Sequence, residues 1–224
     1  MKIAIIPARI GSKRIKKKNI KKFLGTPIIL RTINNLLKMK FFNKIVVSSD
    51  SLEILNLCRS KFNVSTHLRP KKYSRDEAST TDAVRSCIKD LQLKYNDDVC
   101  CVYSFALLLK KKELQETYKI LKKKNDFFIL PVKPYNHPVD RSFELTSQKK
   151  ITNFNRKNIF KNTQTFKTTY HDAGQFYWGK VKFWLSKKPI VDNTIGYPVS
   201  DLRFIDIDNI NDWKMAELLY KLLK

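Results

Sequence analysis

The chain has 224 residues, with 45 Lys and Arg against 20 Asp and Glu and a formal charge of +25 at pH 7. Hydrophobic residues make up 42% of the sequence and aromatic residues 12%, enough to build a buried core and too much for a disordered chain. No apolar run reaches the length of a membrane span, and the run after Lys2 is too short for a signal peptide. We therefore expect a soluble protein. No CxxC spacing occurs among the four cysteines, Cys58, Cys87, Cys100 and Cys101, so we expect reduced thiols and a cytoplasmic location.

The positive charge leaves two interpretations open. Lysines neutralise phosphates, so a large excess of them is typical of proteins that bind nucleic acid. Here the lysines are spread along the whole chain, together with many Asn, Ile and Phe residues, a set that adenine- and thymine-rich codons encode. A solvated surface that reflects codon usage, with a contribution from an anionic substrate, accounts for the charge without nucleic acid.

The first part of the chain alternates apolar strands with amphipathic helices. We predict a strand over 2–6, closed by Pro7 and followed by a basic loop, then a helix over 28–39 and a strand over 44–48. Ser51 is a candidate N-cap for a helix over 52–62, with Leu52, Leu55 and Cys58 on one face. A helix over 82–94, a strand over 99–103, a helix over 111–123 and a strand over 127–132 follow. This alternation predicts an α/β, Rossmann-like fold whose mostly parallel central sheet is flanked by helices.

The pattern changes between residues 135 and 170, which are polar, rich in Asn and less periodic. We interpret this segment as an inserted flap, a hairpin excursion or a partner-binding arm. Strand character resumes at 176–178, a late strand is predicted over 204–207, and Asp212 is the expected cap of a terminal helix that ends at 223. Because the sequence shows neither repeats nor a linker, we predict a single domain over 1–224 that contains the 135–170 excursion.

The loop at 7–19 carries the first candidate chemistry. It combines small residues, a hydroxyl and several cations directly after the first strand, a composition that can wrap polyphosphate. It contains neither a Walker A sequence nor a GxGxxG fingerprint, and a merely solvated basic loop is the alternative.

The segment at 204–208 carries the second candidate chemistry, a pair of aspartates. On a strand, Asp206 and Asp208 would share a face, with their Cα atoms about 7 Å apart. Two carboxylates placed in this way can hold one Mg²⁺ and leave positions for phosphates and water. The alternative is the solvent face of a strand whose Ile205 and Ile207 point inward.

Together these segments resemble the CMP-nonulosonate synthetases, or acylneuraminate cytidylyltransferases, which activate sialic-acid-like sugars. The resemblance rests on IPARIGSKRIKKKN at 6–19, SSD at 48–50, LRP at 68–70 and IDIDNINDWKMAE at 205–217. YHDAGQFYWG at 170–179 is similar to the signature of the family's pseudaminic acid branch. The resemblance implies a nucleotide-diphospho-sugar transferase-like fold and an enzyme that joins a nonulosonic acid, here pseudaminic acid, to CMP from CTP and releases pyrophosphate.

The resemblance also assigns roles to individual positions of this sequence. The nucleotide contacts it implies are Ala8, Arg9, Ser12, Lys13, Lys18, Asn19, Arg69, Ser79, Thr80 and Tyr103. The sugar contacts are His171, Asp172, Gln175 and Tyr177, and the Mg²⁺ ligands are Asp206 and Asp208. The groups implied to carry catalysis are Arg9, Lys13, Lys18, Asp206 and Asp208, which neutralise the charge of CTP and of the sugar carboxylate. The 135–170 excursion corresponds to the part that contributes to a homodimer in this family.

Several questions stay open at this stage. Asp172 or His171 is a candidate general base, although a metal ion alone can activate the sugar hydroxyl, and His171 can instead orient the Asp172 loop. The sequence departs from the family at Ile10, where a glycine is usual, at Asn209, and at 103–107, where YSFAL replaces a Pro-Thr-Ala/Ser-Pro stretch. The alternatives are activation of N-acetylneuraminic, legionaminic or 3-deoxy-manno-octulosonic acid, or a non-catalytic nucleic-acid-binding protein.

Overall fold

A sheet of eight strands organises the computed structural model, which describes residues 1–124, 127–186, 189–199 and 202–223. The helices are α1 (Ile28–Met39), α2 (Leu52–Lys61), α3 (Thr80–Asp90), α4 (Lys111–Lys123), α5 (Val181–Trp184) and α6 (Ile210–Leu223). The strands are β1 (Lys2–Pro7), β2 (Lys22–Phe23), β3 (Thr26–Pro27), β4 (Lys44–Ser49), β5 (Ser65–Leu68), β6 (Asp98–Val102), β7 (Phe128–Pro134), β8 (Phe143–Leu145), β9 (Ile151–Asn153), β10 (Tyr170–Asp172), β11 (Phe176–Lys180) and β12 (Thr194–Pro198).

The large sheet has the order β10-β7-β11-β6-β1-β4-β5, with β12 paired to β7. The half formed by β6, β1, β4 and β5 is parallel, as predicted, whereas β11 runs antiparallel between β6 and β7. Ala4 of β1 lies between Ile45 of β4 and Cys100 of β6. The carboxyl ends of the parallel strands therefore meet at one edge, where ligands bind in such sheets.

Helices cover both faces of the central strands, and successive side chains along each strand enter the core on alternate faces. Ala4 and Ile6 belong to the core under α1 and α2, while Ile3 and Ile5 belong to the core under α3 and α5. All four predicted thiols are free and buried. In the described part of the chain, no helix is both long and apolar enough to cross a membrane.

The predicted helices are confirmed, with corrections at their ends. α3 ends at Asp90, four residues before the predicted end. It begins two residues earlier than expected, since the Ser79 hydroxyl accepts a hydrogen bond from the Asp82 N–H and the Asp82 carboxylate accepts one from the Ser79 N–H. Ser51 occupies the N-cap of α2 without a side-chain capping bond, and its N–H donates to the Ser49 hydroxyl. Leu52 is exposed, and Ile54 takes its expected place beside Leu55 and Cys58 in the core.

The predicted late strand over 204–207 is wrong. Among the described residues this segment pairs with no strand, and side chains donate to three of its carbonyl groups. Lys133 Nζ bonds the Phe204 carbonyl at 3.0 Å, Gln175 Nε2 the Ile205 carbonyl at 2.8 Å, and Lys18 Nζ the Ile207 carbonyl at 2.7 Å. Three residues from other parts of the chain thus hold the segment in place.

The predicted cap of α6 also needs correction. Asn209 is the N-cap, since its Oδ1 accepts from the N–H groups of Asn211 at 2.8 Å and Asp212 at 3.1 Å. Asp212 is its partner three residues later and accepts from the Asn209 N–H at 2.8 Å. The departure at Asn209 therefore retains a good capping residue.

The 135–170 excursion leaves the sheet after β7 and returns as β10, so that Tyr170 pairs with Pro134. It contains the two-stranded hairpin β8–β9, all of whose residues are exposed. That the chain forms a single domain, with this excursion inserted for dimerisation, stays a prediction.

Candidate active site

An open cleft of about 440 Å³ lies at the carboxyl edge of the parallel strands. Five segments line it: the loop after β1, the segment between β5 and α3 with the start of that helix, the turn after β6, the β10–β11 region and the segment before α6. The predicted residues that it brings together are Arg9, Lys18, Asn19, Arg69, Ser79, Thr80, Tyr103, Asp172, Tyr177, Asp206 and Asp208.

The loop after β1 is held by its own backbone contacts. The Ala8 N–H donates to the Ser48 carbonyl at 2.8 Å, and the Ile10 N–H donates to Asp50 Oδ1 at 3.0 Å. Asn19 Nδ2 bonds the Arg9 carbonyl at 2.7 Å, which closes the loop on itself. Ile10 is not among the described residues with a positive φ, so the missing glycine there brings no backbone strain.

Asp76 lies across the mouth of the cleft and contacts two of the predicted phosphate ligands. Arg9 Nη1 lies 2.8 Å from Asp76 Oδ1, and Lys13 Nζ forms an ion pair with Asp76 Oδ2. The hydrogen bonds from Lys13 and Arg9 hold the pKa of the Asp76 carboxyl below its ordinary value. Lys13 itself is largely exposed, and without a ligand both cations are turned toward this aspartate.

Arg69 is the cation whose surroundings most clearly require a ligand. Its residue is 4% exposed, and its Nε donates to the Ser74 hydroxyl at 2.8 Å. Its Nη1 is buried and has no hydrogen-bond partner among the described residues. Burial is the main cause that lowers the pKa of this guanidinium. A buried donor without a partner is costly, so an anionic group that enters the cleft would satisfy it.

Asp206 and Asp208 face this same cleft from the other side. Burial, followed by the charge of Asp208, raises the pKa of Asp206, while Lys18 acts in the opposite direction. Arg14 Nη2 lies 2.7 Å from Asp208 Oδ1. Gly174 has φ +63°, and a Cβ at this position would lie 2.9 Å from Asp206 Oδ2. The site thus requires a glycine beside the carboxylate for two reasons, backbone conformation and space.

The two aspartates fit a Mg²⁺ site of the kind that keeps open positions. Carboxylate oxygens are the ligands this ion prefers. Burial and then the charge of Asp208 raise the pKa of Asp206, and a bound cation would relieve the repulsion between the two carboxylates. In the described ranges no group of three or more His, Cys, Asp or Glu side chains could hold a metal ion. The remaining ligands would therefore come from substrate phosphates and water.

A chain of hydroxyl groups fixes Asp172 at the far end of the cleft. The Thr80 hydroxyl lies 3.0 Å from Tyr103 Oη, which lies 3.2 Å from Tyr177 Oη, and Tyr177 donates to Asp172 Oδ2. The Gly174 N–H bonds the other carboxylate oxygen at 2.8 Å. Burial raises the pKa of Tyr103 to about 12 and also raises that of Tyr177, so both hydroxyls remain protonated donors near neutral pH.

Five predicted residues do not line the cleft: Ala8, Ser12, Lys13, His171 and Gln175. Ala8 is fully buried, and Gln175 is buried with its amide bonded to the Ile205 carbonyl. His171 precedes Asp172 on β10 and therefore points to the other face, where its ring centroid lies 4.9 Å from that of Tyr135. Direct substrate contacts by these residues stay predictions.

The cleft also contains residues to which the sequence analysis assigned no role, among them Arg14, Tyr73, Ser74, Arg75, Asp76, Phe105 and Gly174. Most of them lie in the polar segment between β5 and α3 or beside a recognised motif. The cluster of basic and acidic residues next to the LRP motif, KKYSRDE at 71–77, was the available signal, but spacing along the chain does not show which of them reaches the cleft.

Comparison with known proteins gives one family. The family model described as "Cytidylyltransferase" matches residues 3–218. The chain is 36% identical over 222 residues to the pseudaminic acid cytidylyltransferase of Campylobacter jejuni subsp. jejuni serotype O:23/36 (strain 81-176), covering 98% of this chain and 96% of that protein. It is 34% identical over 217 residues to a Helicobacter pylori (strain ATCC 700392 / 26695) protein described as a pseudaminic acid cytidylyltransferase and UDP-2,4-diacetamido-2,4,6-trideoxy-beta-L-altropyranose hydrolase, covering 96% of this chain and 42% of that protein.

A solved structure, that of a CMP:2-keto-3-deoxy-manno-octonic acid synthetase complexed with CTP, is similar in fold. The TM-score is 0.70 at 12% identity, and the match covers 100% of this chain and 99% of the other. At this identity the similarity concerns the fold alone, and it confirms the predicted α/β architecture.

Proposed function

Because this chain belongs to the cytidylyltransferase family, we propose that it joins pseudaminic acid to CMP from CTP and releases pyrophosphate. The observation that supports the reaction is the cleft itself, in which Arg9, Lys18 and Arg69 line the same space as Asp206 and Asp208. Cations for a triphosphate and carboxylates for its metal ion are the two requirements of nucleotidyl transfer. The choice of sugar is supported by the relatives of matching length and by the YHDAGQFYWG segment.

The cations of the cleft, together with Lys13 beside it, would bind the triphosphate. Arg9 and Lys13 are positioned to exchange Asp76 for phosphate oxygens, and the unpartnered Nη1 of Arg69 would donate to the nucleotide. Asp206 and Asp208 would hold Mg²⁺, which when bound neutralises developing charge on the phosphates. Lys18, whose Nζ lies 2.7 Å from the Ile207 carbonyl, would also donate to the phosphates.

The sugar acid would occupy the end of the cleft near Asp172. Its anomeric oxygen attacks the α-phosphorus, the bond between the α-phosphorus and the bridging oxygen breaks, and pyrophosphate leaves with the electron pair. The proton of the sugar hydroxyl passes to Asp172, whose carboxylate Tyr177 and the Gly174 N–H keep oriented. His171 lies on the other face of β10, which favours Asp172 over His171 as the general base.

The reaction is tested by pyrophosphate release from CTP and Mg²⁺ with pseudaminic, legionaminic, N-acetylneuraminic and 3-deoxy-manno-octulosonic acids. We expect turnover with pseudaminic acid and a loss of about 100-fold or more in Asp206→Asn, since one such contact is worth about 3 kcal/mol in the transition state. Asp192→Asn, an exposed aspartate outside the cleft, is the matched control. Turnover with another acid alone would refute the sugar, and folded protein that binds random DNA without turnover would refute the enzyme.

We also propose that the β8–β9 hairpin binds a second copy of the chain. Phe143, Leu145 and Ile151 share one face of this hairpin and are 58%, 70% and 61% exposed. A two-stranded hairpin is marginal by itself, and an exposed apolar face of this kind marks an interface. Light scattering should give a dimer mass for the wild type and a monomer mass for Leu145→Asp/Ile151→Asp. Thr152→Asp, on the opposite face, should remain dimeric, and an unchanged mass in the double variant would refute the interface.

A cytoplasmic location completes the proposal. CTP is a cytoplasmic nucleotide, and the four thiols are free and buried, as is usual for proteins of a reducing compartment. Cell fractionation, with the antibody signal expected in the cytoplasmic fraction, tests this location.

A further inference from the structure

Phe105 contacts two other residues of the cleft, Tyr103 and Lys18. Its residue is 6% exposed and lines the cleft. The Tyr103 ring is stacked on it, with centroids 5.3 Å apart and an interplanar angle of 24°. The Lys18 ammonium lies 4.3 Å from the centroid of the Phe105 ring. The ring therefore stands between the tyrosine that anchors the hydroxyl chain and the lysine of the basic loop.

Lys18 is held in an unusual way for a lysine of a charged site. Its Nζ donates to the Ile207 carbonyl, which lies between Asp206 and Asp208 in the chain, at 2.7 Å. Among the described residues no carboxylate oxygen comes within 4.0 Å of this ammonium. Its fixed contacts are thus one carbonyl group and one aromatic ring, and the aspartates act on it only over a longer distance.

An aromatic ring does more at this position than fill space. The face of a benzene ring carries negative electrostatic potential and attracts a cation, and this attraction strengthens where water is excluded. Burial lowers the pKa of Lys18, so the ammonium has lost much of its hydration. An aliphatic side chain of similar volume would replace the packing without the attraction, which would leave a flexible lysine with one contact fewer.

We propose that Phe105 is a positioning residue that fixes the Lys18 ammonium beside the Ile207 carbonyl, where it meets the phosphates of CTP. This inference rests on the proposed function. It concerns a residue of the 103–107 segment, in which the chain departs from the Pro-Thr-Ala/Ser-Pro stretch usual in its family. The departure would then contribute a contact of its own to the phosphate site.

The kinetic test compares Phe105→Leu, which keeps an apolar side chain, with Phe105→Tyr, which keeps the ring. We expect kcat to fall about threefold to tenfold in Phe105→Leu, with the KM for pseudaminic acid unchanged, and most of the activity to return in Phe105→Tyr. Phe23→Leu removes a fully buried ring from the same core cluster outside the cleft and controls for loss of packing. Equal kcat values for Phe105→Leu and wild type would overturn the proposal.

A double-mutant cycle separates positioning from general damage. In a Lys18→Met background, Phe105→Leu should have no further effect on kcat, because the group that the ring positions is gone. Additive losses would overturn the proposal, since they would show that the ring acts independently of the lysine.

A spectroscopic test does not depend on turnover. In protein with ¹³C-methylated lysines, the Lys18 methyl resonance, assigned with Lys18→Arg, should be shifted upfield by the ring current. The shift should vanish in Phe105→Leu and persist in Phe105→Tyr; a shift that survives in Phe105→Leu overturns the proposal. Wild-type protein that turns over none of the sugar acids would refute the proposed function, while this resonance would still report whether the ring holds the lysine.

Discussion

Replacing Arg69 by methionine should make the free protein more stable and its nucleotide binding weaker. Methionine retains an unbranched stem of comparable length and removes the guanidinium. In the absence of a ligand, that guanidinium is 4% exposed at the level of the residue and leaves Nη1 without a partner among the described residues. Arg69 is therefore a residue for which function and stability should have opposite requirements.

The size of both effects follows from its contacts. An unsatisfied buried polar group costs about 1–3 kcal/mol, and its removal stabilises the fold by that amount. The loss of the hydrogen bond to Ser74, at 2.8 Å, and of the attraction to Asp50 offsets part of the gain, about 0.5–1.5 kcal/mol for the hydrogen bond. The net gain is about 1 kcal/mol, or roughly 2–4 °C in Tm for a chain of this size. A lost charge-assisted hydrogen bond to CTP costs about 1.5–3 kcal/mol, which is roughly 10- to 150-fold in Kd.

Thermal denaturation without ligand and calorimetric titration with CTP measure the two quantities. Arg75→Met is the control, because it removes the same charge from an exposed position on the same cleft and should leave Tm nearly unchanged. A lower Tm for Arg69→Met together with an unchanged Kd for CTP would refute the reasoning. It would mean that Arg69 serves to hold Ser74 and its segment in place and does not bind the nucleotide.

Three further predictions concern charges around the same cleft. Asp76→Asn should lower the Kd for CTP, because the phosphates no longer compete with the Asp76 carboxylate for Arg9 and Lys13. The control variant Glu77→Gln should change this Kd less. A raised Kd for Asp76→Asn in titration calorimetry would contradict the prediction. At subsaturating Mg²⁺, turnover should fall as the pH is lowered from neutral, since the raised pKa of Asp206 lets protons compete with the metal ion. Saturating Mg²⁺ should restore the turnover at the lower pH. A pH profile of turnover that does not depend on the Mg²⁺ concentration would refute this prediction. Glu113→Ala should cost about 3 kcal/mol of unfolding free energy in denaturant titrations, because the buried Glu113 carboxylate lies 2.7 Å from the half-buried Arg203 guanidinium and also accepts the Lys110 N–H at the start of α4. A loss below about 1 kcal/mol would contradict this.

The regular elements of the parallel half could be predicted from sequence because their signals are local. The apolar run over β6 and the helical spacing over α1 and α4 depend only on neighbouring residues, and α1 and α4 have the predicted bounds. β5 and β12 were missed because they are short and only partly buried, so neither shows a clear period of two. The antiparallel insertion of β11 could not be predicted, since strand direction is set by long-range pairing.

The candidate site divides in the same way. The basic loop and the Asp-Ile-Asp segment are visible as motifs, and the prediction that their residues face one another depended on family resemblance. The supposed strand over 204–207 shows the limit of local reasoning. Its alternating pattern is that of a strand, yet its carbonyl groups are satisfied by Lys18, Lys133 and Gln175, none of which lies nearby in sequence.

By itself, the sequence determined the α/β class, most of the helices and the residues that carry charge and hydroxyl groups, because these depend on composition and short-range period. Only the tertiary structure decided which of those residues share a cleft. It placed Asp172 inside and His171 outside, brought Asp76 across to Arg9, and set Phe105 against Lys18. Such contacts join residues far apart in the chain, and their geometry arises only when the sheet and its helices pack together.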